Sequence, residues 1–88
     1  MEPGKKYLII ITFGWGLVGT FRREKGLNEV ELDDCHFITN CGQQTDWGRF
    51  ARNGPGSGAV VNALGTTTVN MDHHLFYVEF LHDLPRSR

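Results

Sequence analysis

Cysteine is scarce in this 88-residue sequence: Cys35 and Cys41 are the only two. Two thiols are too few for a disulfide-rich secreted scaffold, so a reducing compartment is expected. An excess of positive charge is missing too. Nine Lys and Arg stand against ten Asp and Glu, a net charge of −1, which is not the footprint of a dedicated nucleic-acid binder. Long apolar runs are also lacking. The uncharged stretch from Tyr7 to Phe21 follows Lys5 and Lys6 as the apolar part of a signal peptide would. However, Gly14, Gly16 and Gly19 interrupt it, no small-x-small cleavage site appears, and Arg22 and Arg23 end it short of the ~20 residues a spanning helix needs. Neither an export segment nor a membrane span is expected.

What is present is a composition 40% hydrophobic, 11% aromatic and 22% charged, that of one compact domain spanning residues 1–88. A chain of this size hides only about 60 to 65% of the surface its unfolded form exposes, so a partner subunit would help its small core. Lys6 to Thr12 (KYLIIIT) is β-branched and too short for an ordinary helix, and reads as a strand buried on both faces. Phe13-Gly14-Trp15-Gly16 turns the chain, and Leu17 to Glu24 resumes as a second strand with Leu17, Gly19 and Phe21 on one face. Lys25-Gly26 is the expected reversal into a third strand, Asn28 to Ile38. There the apolar phase slips from Val30 and Leu32 to Cys35 and Phe37, which predicts a bulge or bend at Asp33-Asp34.

From about residue 40 to 65 the strand signal fades. Thr45-Asp46 offers an N-cap to a short helix carrying Trp47, Phe50 and Ala51, Asn53-Gly54 ends it, and Pro55 to Gly58 reads as a loop. Ala59 to Leu64 reads as a short edge strand, and Thr66 to Met71 with Leu75 to Leu81 as a closing hairpin around Asp72-His73. In the last strand Phe76, Val78 and Phe80 share one face and Leu75, Tyr77 and Leu81 the other, so both faces are expected to be covered, the second by another subunit. The fold class expected is mainly β: a small SH3-like or Sm-like β-barrel of about five strands, with a short helix inserted between strands 3 and 4 and a loose tail over 85–88.

The string LDDCHFITN from Leu32 to Asn40, Gly42, the WGRFARNG block from Trp47 to Gly54 and the segment from Thr66 to Phe80 together resemble a group of small uncharacterised proteins of tailed bacteriophages and prophages. The resemblance is one of pattern, from about Leu8 to Phe80, and the chain departs from it at Cys35-His36 and Asn40-Cys41. It implies a phage or mobile-element origin, a small β-barrel and no established chemistry.

The most ligand-like feature is the insertion. Trp15 and Trp47 offer stacking surfaces, Arg49 and Arg52 offer guanidinium groups suited to phosphate, and the mobile-looking Gly54 to Gly58 segment offers a cover. The binding residues expected from this region are Trp15, His36, Asn40, Gln43, Thr45, Trp47, Arg49 and Arg52. The plainer alternative is that Trp47 and Phe50, three apart on a helix, anchor it to the barrel. Cys35, His36, Cys41, His73 and His74 invite a zinc reading, but neither C-x2-C nor H-x3-H spacing is present and neighbours on a strand point to opposite faces. Cys41 with His36 or His82, or the pair Asp33 and Asp34, meet no catalytic requirement beyond nearness in sequence. No cofactor, metal or catalytic set is therefore expected.

The expectation is a non-enzymatic homo-oligomer in the cytoplasm of an infected bacterial host. Its leading function is sequestering a small signalling nucleotide of antiphage defence, and the alternative is an assembly or protein-interaction module. Sm-like binding of RNA on exposed loops is a further alternative, not favoured because Glu29, Glu31, Asp33 and Asp34 lie between Arg22, Arg23, Lys25 and the helix arginines.

Overall fold

The stretch KYLIII forms β1 (Lys6–Ile11) and is buried on both sides, as its β-branched composition requires. Tyr7 and Ile9 enter one apolar cluster with Leu17, Phe21, Val30, Leu32, Cys35 and Val69. Leu8 and Ile10 enter a second, with Val18, Ile38, Phe50, Val61 and Phe80. The sheet therefore separates two cores. The computed structural model describes residues 1–42 and 46–84, and among these the elements are β1, β2 (Trp15–Gly26), β3 (Glu29–Asn40), α1 (Trp47–Asn53), β4 (Val60–Asn70) and β5 (His74–Glu79).

The five strands make one antiparallel sheet in the order β4-β3-β2-β1-β5. The interruption between β1 and β2 is a short 3-10 turn over Thr12–Gly14, with Gly14 at φ +76. Reversal into β3 comes at Leu27-Asn28 instead of Lys25-Gly26, because Asn28 accepts a left-handed φ of 58. The slip of phase in β3 is a true irregularity: the register with β4 shifts between Leu32 and Cys35, and Asp34 has φ 50. It turns both Leu32 and Cys35 into the same core.

The closing hairpin does not form as expected. Ala59 to Leu64 and Thr66 to Met71 belong mainly to one continuous β4, paired with β3, while β5 pairs with β1 at the opposite edge. A 3-10 turn over Met71–His73 carries the chain from one edge to the other, its start held by the Asn70 side chain accepting from the Asp72 amide. The outer edges of β4 and β5 are both unpaired among the described residues. Nor is β5 covered: Leu75 is 64% exposed, with Phe76, Tyr77 and Val78 also open.

The helix is capped as its sequence indicates. Asp46 accepts from the Arg49 amide at 2.8 Å, and Gly54, at φ +81, closes the C-terminus with its amide on the Phe50 carbonyl. Phe50 stacks on Phe80 with ring centroids 5.4 Å apart, so α1 covers the outer face of the sheet.

Candidate functional site

Trp15 and Trp47 stand on opposite faces of the sheet and cannot sandwich one ring. Trp47 lies over Gly16, where an added Cβ would meet the indole at 2.5 Å, and its Nε1–H donates to the Gly14 carbonyl at 2.7 Å. Neighbouring positions on a strand alternate in direction. Trp15 accordingly turns the other way, against Phe37 at 5.3 Å.

The other expected site residues are dispersed. His36, through Nδ1, meets the Asp34 carbonyl at 2.9 Å, and Asn40 accepts from the Gly42 amide at 2.7 Å, so both serve local turns. Arg49 reaches back to Asp46 at 3.7 Å. Gln43 and Thr45 lie outside the described residues. Of the described members of the expected set, only Trp47 and Arg52 meet, in a groove of about 480 Å³ between α1 and β5 whose other walls are Gly48, Ala51, Phe76, Val78 and Glu79. The sequence marks Phe76 and Val78 as one face of the last strand but not as a groove wall, because apolar alternation in a last strand looks like burial.

Further openings lie among the described residues. Ile11, Thr12, Trp15 and Leu17 face Thr67 to Asn70 across a cavity of about 630 Å³ beside β4. A third, of about 350 Å³, lies where the β2–β3 and β4–β5 connections meet, among Glu24, Gly26, Leu27, Asn28, Glu29, Val30, Met71, His74 and Tyr77. These loops are clasped together. Asn28 Nδ2 donates to Asp72 Oδ1 at 2.6 Å, and the Met71 amide donates to the Asn28 carbonyl at 2.6 Å. Leu27 is 92% exposed beside them, and the His74 and Tyr77 rings lie 5.9 Å apart. No local pattern in the sequence marks this cluster. The Gly-Leu-Asn turn and Asp72 are far apart in sequence, and only the route of β4 and β5 joins them.

Among the described residues the cations fall in three places, the first being Lys5 and Lys6, which face Glu2 at 2.8 Å and Asp83 at 4.0 Å. Arg22 and Arg23 both reach Glu31 Oε1, at 3.5 and 3.3 Å, and Lys25 reaches Oε2 at 3.9 Å, while Arg22 also faces Asp33 at 3.5 Å. Arg49 and Arg52 stand apart on α1. Burial pushes the Cys35 thiol up, as it does the Cys41 thiol, so neither is a ready thiolate. No three His, Cys, Asp or Glu side chains converge as metal ligands among the described residues, and no helix there is long and apolar enough to cross a membrane.

No known family profile matches the sequence, and neither does any curated protein sequence. Among solved structures, the chain is similar to a heptameric archaeal Sm protein, described for its implications for the eukaryotic snRNP core. The two share 20% identity, with a TM-score of 0.59 over 86% of this chain and 85% of the other. That likeness shows the fold: a small, mainly β, Sm-like sheet with the helix between strands 3 and 4.

Proposed function

We propose that this chain is the non-enzymatic subunit of a homo-oligomeric ring that holds single-stranded RNA on its clasped loops. The observation that carries the reading is the pair of unpaired edges. β4 and β5 are opposite edges of one bent sheet, and an exposed apolar edge strand is a template for another chain. Joining β4 of one copy to β5 of the next is a head-to-tail contact, which closes into a ring when the rotation allows. The similar archaeal protein is heptameric.

The loop cluster supplies the binding chemistry. RNA recognition favours unstacked bases laid on aromatic or imidazole rings and hydrogen-bonded at their edges. His74 and Tyr77 offer the rings, and the Asn28 and Asp72 side chains the polar edge. Light scattering of the purified protein is expected to give a mass several times that of one subunit. Fluorescence anisotropy is expected to show labelled oligouridylate or oligoadenylate binding better than the matching DNA. A monomer at tens of micromolar, or a ring with no RNA affinity, overturns the reading.

The groove between α1 and β5 favours a second reading, a sponge for a small signalling nucleotide in the cytoplasm of an infected bacterium. Trp47 and Phe76 flank that groove, and the Arg52 side chain has no ion-pair partner among the described residues. Calorimetry with a panel of cyclic and ADP-ribose-derived nucleotides tests it, with Arg52→Ala expected to abolish any binding seen.

A further inference from the structure

Arg22 and Arg23 are adjacent in sequence, yet both side chains lie on the same face of the sheet. Cross-strand partners share a face, and β2 pairs Phe21 with Leu32 and Arg23 with Glu31. One residue of β2 is therefore extra, and the register shift between Phe21 and Arg23 marks the bulge that accommodates it. Leu32 and Phe21 point into the first core, whereas Arg22 and Arg23 both meet Glu31 on the other side. Lys25 joins them from the next position outward and also donates to Thr68 of β4 at 3.1 Å. Without the bulge one of the arginines would face the core.

Glu31 is 7% exposed, while the three cations remain open to solvent. Three positive groups face one covered carboxylate, with Asp33 beside Arg22 and Glu29 opposite Gly26 on the same face, so what the strip offers a phosphate is exposed guanidinium forks and not an excess of charge. The strip runs along β2 directly into the Gly26-Leu27-Asn28 turn of the loop cluster.

We infer that the bulged strip Arg22-Arg23-Lys25 is a phosphate-binding track that takes the sugar-phosphate backbone of single-stranded RNA as it leaves the loop cluster. This rests on the RNA reading above and adds a second contact surface to it. Guanidinium forks suit phosphate oxygens, and a strip carrying only backbone contacts adds affinity without adding sequence preference. Repetition around a ring multiplies the track.

The test is anisotropy with labelled oligouridylate across a potassium chloride series, using the intact protein. Each phosphate contact to a single strand contributes about 0.7 to the slope of log affinity against log salt. The double variant Arg22→Gln/Arg23→Gln is expected to flatten that slope by about 1.4 and to weaken binding roughly tenfold or more near 0.1 M salt. Its mass by light scattering is expected to stay that of the wild type. Because those arginines shield a covered carboxylate, the triple variant with Glu31→Gln added serves if the double variant unfolds, with the same slope expected. Glu31→Gln alone frees the cations and is expected to tighten RNA binding several-fold. An unchanged slope in a variant that still binds RNA overturns the track but leaves the loop site standing. Absence of RNA binding by the wild type overturns both.

Discussion

Gly19 and Cys35 illustrate how closely single positions are held in the first core. A Cβ on Gly19 would stand 2.9 Å from the Leu32 Cβ and 3.3 Å from the Cys35 Cα, and the latter is backbone that cannot swing aside. Gly19→Ala is expected to destabilise the fold by about 1–3 kcal/mol through overpacking, read as a lower denaturant midpoint at unchanged slope. Cys35 predicts a pH dependence. Burial raises its thiol, so the folded chain keeps that proton where the unfolded chain releases it. The contribution is complete below the ordinary thiol value of about 8.5 and is lost as pH climbs from there through the folded value. Melting temperatures taken on both sides of that value should fall toward alkaline pH, and the fall should be shallower in Cys35→Ala.

At the scale of elements, α1 separates a packing role from a surface role within one turn. Phe50 is fully buried against Phe80, and Lys6 lies over the same Phe80 ring at 5.5 Å. Phe50→Ala is expected to cost about 3–5 kcal/mol, whereas Arg49→Ala, which loses only an exposed pair with Asp46, should change stability by less than about 0.5 kcal/mol. Thermal melts of the two variants side by side make the comparison. His82 adds a tie from the chain's end, its Nε2 meeting the Arg52 carbonyl at the helix C-terminus at 2.7 Å. The helix was legible in the sequence because cap, apolar spacing and terminating glycine are local signals. Its target was not, because nothing near Phe50 in the sequence marks Phe80 as its neighbour.

For the whole molecule, the decisive feature is where the last two strands go. Phe80 donates its amide to Lys6 of β1, so by alternation the Tyr77 and Glu79 amides point away from β1 toward the open edge. Glu79→Pro removes no bond to β1 but blocks an added strand. It is expected to leave the chain folded by circular dichroism and reduce it to a monomer by native mass spectrometry. The same change in a protein that needs no β5 edge would leave its mass unaltered.

Local order carried β1, β2, the slip in β3 and the capped helix, since periodicity, caps and left-handed turns act over a few residues. Those signals also placed Trp47 and Arg52 together on one helix. The separation of β4 from β5 was beyond them. Two apolar strands joined by a short turn look like a hairpin until each is seen completing a different edge, and only that route brings Asn28 to Asp72. The bulge at Arg22 was equally silent, because an extra residue in an exposed polar stretch leaves no mark in the apolar pattern; pairing with β3 alone decides which way the two arginines face.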